Sequence, residues 1–149
     1  MSAQARKITP VRGNTMEKNS ILVPPVKCQG IKTKLVPFIL EHVRRDEDGL
    51  WIEPFLGTGA VAFNLAPKRA LLSDKNQYII SLYQGIQAHT VTAQTVRDFL
   101  EYHGSLLAQR GEAYYIHMRS TFNQDHDPLY FLFLNRSDFN GMIRFNQKG

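Results

Sequence analysis

Leu50-Trp51-Ile52-Glu53-Pro54-Phe55-Leu56-Gly57-Thr58-Gly59 decides the fold class. Its first four residues form a short apolar run, read as a buried strand. Pro54 to Gly59 then reads as a tight turn, with glycines where the backbone bends hardest. Ala60 to Ala66 follows as a short helix stopped by Pro67. Ala70-Leu71-Leu72-Ser73 is a second buried strand, ending in Asp74-Lys75-Asn76. Strand, glycine turn, helix and strand make a βαβ unit, which requires a parallel sheet and an α/β fold.

Upstream, Leu35, Val36, Ile39, Leu40 and Val43 lie at helical spacing. Pro37 falls in the first turn, where its missing N–H costs little. Asp46-Glu47-Asp48-Gly49 is expected to end that helix. Before it stand Val23-Pro24-Pro25-Val26 and Lys27-Cys28-Gln29-Gly30-Ile31-Lys32. Residues 1–19 are polar and aperiodic, and read as a disordered lead-in, with structure beginning near Ile21.

Downstream the pattern is helical. Ile79, Leu82, Tyr83 and Ile86 make one apolar stripe; Val96, Phe99, Leu100, His103, Leu106 and Leu107 make another. Thr95 and Asp98 stand at capping-box spacing. Tyr115, Met118 and Phe122 suggest a third helix, and Leu129 to Leu134 is apolar all round.

The chain has 149 residues, enough for one core, and a net charge of +5. A basic surface favours polyanions, of which nucleic acid is the commonest in a cytoplasm. The one cysteine, Cys28, excludes an internal disulfide and a cysteine-rich metal module, and fits a reducing compartment. The five histidines show no ligand spacing, so no metal is assigned. No apolar stretch is long enough to span a bilayer. Arg6, Lys7 and Arg12 precede no apolar core of a signal peptide.

The turn carries the chemistry. Gly57 and Gly59 let the backbone pass close to a ligand at a strand's carboxyl end. The helix behind it offers free N–H groups to a carboxylate or phosphate. Asp74 ends the next strand, where an acid can accept hydrogen bonds from two ribose hydroxyls. Glu53 sits just before the turn, where a carboxylate could face a ligand's ammonium group. Gly57-Thr58-Gly59-Ala60-Val61-Ala62 also satisfies the dinucleotide pattern G-x-G-x-x-G/A, and a bare tight turn explains so short a motif about as well. Against a dinucleotide stand the negative charge of Glu53 beside the turn and the early arrival of Asp74.

Four segments in order resemble one family, the adenine-N6 DNA methyltransferases of the DNA adenine methylase type. Lys27-Cys28-Gln29-Gly30-Ile31-Lys32 is similar to its K-x-x-G-x-K element. Glu53 to Gly59 is similar to its E/D-P-F-x-G-x-G cofactor loop, and Asp74-Lys75-Asn76 to its D-x-N. Asn135-Arg136 through Arg144-Phe145-Asn146 is similar to its N-R-x-x-F/Y-N-G-x-x-R-F/Y-N recognition segment. Together they cover about residues 21–149. The resemblance implies a Rossmann-like, S-adenosylmethionine-dependent fold, here incomplete, with a mostly helical, partial target-recognition domain. Residues 20–90 would be the cofactor part and 91–149 the DNA part. Within the family, the wording of the first and last segments is most like a restriction-modification methylase acting at GATATC, which makes that site a candidate.

The resemblance also implies roles. Cys28, Lys32, Glu53, Phe55, Gly57, Gly59 and Asp74 would surround S-adenosylmethionine. Lys32 would meet the cofactor carboxylate, Asp74 the ribose, and the two glycines the methionine end. Cys28 falls where the DNA adenine methylase itself has tryptophan, a departure that bears on adenine-ring stacking. Arg136, Phe139, Asn140, Met142, Arg144 and Asn146 would contact double-stranded DNA, with a turn at Gly141. An arginine can take both acceptors of a guanine edge, and an apolar side chain can enter a base step. A surface hairpin with solvated arginines fits the same spacing.

The reaction implied is direct methyl transfer to a flipped adenine N6 in the cytoplasm, with no metal and no covalent enzyme intermediate. Its D/N/S-P-P-Y/F/W motif is missing. Asp127-Pro128-Leu129-Tyr130 has leucine at the second proline and runs into an expected helix, so no catalytic residue is assigned. The chain alone is therefore expected to be inactive. Non-catalytic binding, or completion by a second chain carrying the motif, is the alternative.

Overall fold

A computed structural model describes residues 21–28, 30, 32–44 and 48–138. The lead-in at 1–19 lies outside them, as do Phe139, Asn140, Met142, Arg144 and Asn146.

The βαβ unit is present. Strands β1 (Trp51–Glu53) and β2 (Ala70–Leu72) pair in parallel, with Trp51 opposite Ala70, Ile52 opposite Leu71 and Glu53 opposite Leu72. Parallel neighbours need a crossover, and helix α2 (Ala60–Leu65) supplies it. Helix α1 (Val36–His42) follows a 3-10 turn at Thr33–Leu35 and carries Pro37 in its first turn. It ends at His42, earlier than Asp46-Glu47-Asp48-Gly49, because Val43 turns extended. Val36, Ala60 and Val61 form a small buried cluster, with Trp51 and Ile39 packed against it.

The strands are less buried than expected. Ile52 and Leu71 are each 58% exposed. Alternation puts Trp51 and Glu53 on one face and Ile52 on the other. A parallel strand is buried on both sides only where both faces are covered. Among the described residues, nothing covers the Ile52 and Leu71 side.

Four more helices follow: α3 (Gln77–Gln87), α4 (Ala93–Arg110), α5 (Glu112–Asp125) and α6 (Pro128–Ser137). Asn76 caps α3 by accepting from the Tyr78 N–H at 3.0 Å. The capping box of α4 is Thr92 with Thr95, not Thr95 with Asp98. Thr92 alone has the extended backbone a cap needs, while Asp98 lies inside the helix and accepts from Gln94 at 2.7 Å.

Helix α6 is the centre of the main core. Phe131 to Asn135 are five consecutive buried residues, as a helix surrounded on every side requires. Helices α3, α4 and α5 pack against it. Tyr114, Met118 and Phe122 join Phe131 and Phe133 there, with Val26, Ile79, Leu82 and Val91 in the same cluster. Each fully buried phenylalanine contributes about 1.5–3 kcal/mol relative to exposure. That cluster runs across both sides of residue 90. No helix among the described residues is long and apolar enough to cross a membrane.

Candidate functional site

The turn after β1 is held from several directions. The Leu56 N–H donates to Ser73 O at 2.9 Å and the Ser73 N–H to Glu53 O at 3.0 Å, extending the strand pairing into the loop. The Gly57 N–H donates to Asp74 Oδ2 at 2.7 Å. The Asn76 N–H donates to Asp74 Oδ1 at 2.8 Å. Asp74 therefore anchors the turn as well as facing its interior, and each oxygen keeps acceptor capacity beyond these bonds.

Both turn glycines are needed for backbone reasons. Gly57 has φ +54° and Gly59 has φ +78°, a region that costs other residues steric strain. A Cβ on Gly59 would sit 2.3 Å from the Phe63 ring, so the ring packs where a side chain would be. Phe63 in turn stands edge-on to Tyr83 with centroids 4.8 Å apart.

A cleft of about 230 Å³ opens at this turn. Cys28, Lys32, Glu53, Phe55, Gly57 and Asp74 line it, six of the seven residues expected at a cofactor. Gly59 does not line it; it shapes the loop from beneath. Gly30, Leu56, Thr58, Ala60 and Val61 complete the wall. One cation and two carboxylates thus share a cleft with Leu56, Ala60, Val61 and an exposed aromatic, Phe55. Glu53 is steadied by the Trp51 indole N–H, 3.2 Å from Oε2. The Lys32 ammonium donates to Gly30 O at 2.7 Å. Burial first, and then the Asp74 charge, push the Cys28 thiol above its usual range, against the pull of Lys32 and the Thr58 backbone. Cys28 is thus a neutral wall group at neutral pH.

Sequence reasoning did not find two supports. Tyr83, read only as part of an apolar stripe, donates its hydroxyl to Thr58 O at 2.6 Å and pins the turn. Burial, with Cys28 next, raises its hydroxyl far above the ordinary range, so it stays a donor. Asn135, read as the start of the recognition segment, is 2% exposed. Its carboxamide accepts from the Lys27 N–H at 2.8 Å and donates to Lys27 O at 2.7 Å. No spacing rule announces either contact, because each joins residues far apart in the chain.

Of the residues expected at DNA, Arg136 is exposed in the last turn of α6; the others lie outside the described residues. Asp127-Pro128-Leu129-Tyr130 opens α6, with Asp127 accepting from the Leu129 N–H at 2.7 Å. This acid is a helix cap. Among the described residues no group of three or more acids, histidines or cysteines could hold a metal ion.

This arrangement, a parallel βαβ unit with an acid-flanked glycine turn, agrees with the comparison to known families. The family model of D12 class N6 adenine-specific DNA methyltransferases matches residues 29–149. The chain belongs to that family. It is 39% identical over 120 residues to a DNA N-6-adenine-methyltransferase of Escherichia phage P1, covering 74% of this chain and 15% of that protein. It is 33% identical over 139 residues to the DNA adenine methylase of Escherichia coli strain K12, covering 90% and 46%. With the Type II methyltransferase M1.LlaDCHI of Lactococcus lactis subsp. cremoris it shares 28% over 144 residues, covering 91% and 48%. The chain spans less than half the length of each.

Proposed function

We propose that this chain supplies the cofactor cleft and part of the DNA-recognition surface of an adenine-N6 DNA methyltransferase. The carrying observation is the convergence of Lys32, Glu53 and Asp74 on one cleft at a glycine turn. The cleft fits a zwitterionic amino acid joined to a nucleoside. Lys32 would hold the carboxylate of S-adenosylmethionine, Glu53 its ammonium and Asp74 its ribose hydroxyls. Cys28 and Phe55 would flank apolar parts of the ligand, and Gly57 and Gly59 keep the loop close. S-adenosylmethionine supplies an electrophilic methyl group on sulfonium, and the protein's task is to bind and orient it. The fold so defined is Rossmann-like, with residues 20–90 as the cofactor part and 91–149 as the recognition part. Its place of action would be the cytoplasm.

Arg136, Phe139, Asn140, Met142, Arg144 and Asn146 would contact double-stranded DNA. The likeness of residues 23–37 and 139–146 to the EcoRV modification methylase supports GATATC as the site to test first. No D/N/S-P-P-Y/F/W sequence occurs in the 149 residues. We therefore propose that the chain alone transfers no methyl group, and that a chain carrying the motif would complement it. Calorimetry with S-adenosylmethionine and with NAD tests the cleft. Weak binding of the first and none of the second is expected; preference for NAD would overturn the reading.

A further inference from the structure

Residues 21–28 reach the cleft as a strap held by two asparagines. On α2, the Asn64 carboxamide accepts from the Leu22 N–H at 2.8 Å and donates to Leu22 O at 2.9 Å. On α6, Asn135 brackets Lys27 in the same two-bond fashion. Each carboxamide meets both polar groups of one residue, as a neighbouring strand would. The Asn135 clamp is the buried one, and a buried backbone pair left unmet is costly. Its two neighbours matter. Val26, 1% exposed, is locked into the main core, and Cys28 lines the cleft. On the other side, Arg136 follows Asn135 directly and is exposed.

We propose that Asn135 is a positioning residue that sets the Cys28 wall of the cofactor cleft from α6, by holding the strap at Lys27. This rests on the reading of the cleft as the S-adenosylmethionine site. Asn135 does not itself line the cleft. It acts by fixing Lys27, and hence the register of Cys28, against the last turns of α6.

Cys28 is the only cysteine, so its alkylation by iodoacetamide reads the wall without any ligand. Asn135→Ala should speed that alkylation about tenfold and weaken S-adenosylmethionine binding by a similar factor, on the order expected when buried backbone groups lose their partners. Met118→Ala, a truncation of the same core on α5 that leaves both Asn135 hydrogen bonds in place, controls for general loosening and should leave the alkylation rate within about twofold of wild type. Asn135→Ser keeps a neutral hydroxyl that can serve one of the two Lys27 groups and should give a smaller change in the same direction, which serves if the alanine variant does not fold. Equal alkylation rates in wild type and both Asn135 variants would overturn the proposal, as would equal acceleration by Met118→Ala. The cleft reading fails separately: S-adenosylmethionine would then give wild-type Cys28 no protection from alkylation, while the clamp still shows in the rates.

Discussion

The Gly57 N–H and the Asp74 carboxylate, 17 residues apart in sequence, are joined at 2.7 Å. This bond ties the turn after β1 to the end of β2, so Asp74 has two tasks: it braces the turn and it presents an acid to the cleft. Asp74→Ala should therefore lower both the melting temperature and the affinity for S-adenosylmethionine. The affinity loss should be about 1–3 kcal/mol if the acid takes charge-assisted ribose bonds. Calorimetry and thermal melts on one preparation separate the two; unchanged affinity with a lowered melting temperature would leave Asp74 only the bracing task.

Gly59→Ala should destabilise far more than Gly57→Ala. Both positions have positive φ, but only at Gly59 would the new Cβ meet the Phe63 ring. Strain alone costs about 1–2 kcal/mol, and overpacking adds about 1–3 kcal/mol. Urea unfolding should show this ordering. Combining Gly59→Ala with Phe63→Ala should remove part of the excess, and a purely additive pair would argue against the contact.

Methyl transfer gives the third test. The 149-residue chain, incubated with tritiated S-adenosylmethionine and unmethylated DNA containing GATATC, should incorporate no label. Asp127, which caps α6, is on the proposed reading a structural acid. Turnover by the pure chain would refute this, and label appearing only after a motif-bearing chain is added would support complementation.

His103 gives the fold a pH dependence. Its Nδ1 lies 2.6 Å from the hydroxyl of buried Tyr114. Burial first, and then His117, lower its pKa from 6.5. A base with a depressed folded pKa is more readily protonated when unfolded. Its contribution is thus complete above pH 6.5 and is lost as the pH falls through the folded value. The melting temperature should fall on going from pH 7.5 to pH 5, and His103→Gln should flatten that slope. An identical slope in the variant would assign the acid sensitivity to other groups.

Much of the cleft was legible because its signals are local. Glu53 to Gly59 and Asp74 sit at the ends of adjacent strands, and strand-turn-helix order alone brings them together. The helix stripes of α3 to α5 were legible in part for the same reason: Ile79, Leu82, Met118 and Phe122 are buried, but the α4 stripe is only half-buried, Tyr114 rather than Tyr115 is the buried tyrosine, and Ile86 is exposed. Strand burial was not, because Ile52 and Leu71 have the composition of a covered face whatever lies over them. Nor were the Asn135, Asn64 and Tyr83 contacts, where single polar atoms meet backbone groups at distances of 25 to 108 residues along the chain. The start of α4 was misplaced by one turn because Thr92 and Thr95 are chemically alike.

The uncovered side of the sheet has a colloidal consequence. Leu50, Ile52 and Leu71 offer an apolar surface, and short parallel strands with open edges invite pairing between copies. Lys68 and Arg69, both exposed, stand immediately before β2. Two like charges beside a sticky strand act as gatekeepers, since stacking two copies would bring four cations together. Their repulsion reaches only about 10 Å at 0.1 M salt and about 3 Å at 1 M. Raising the salt from 0.1 M to 1 M should therefore speed self-association of the concentrated protein, which light scattering would read as growing particle size.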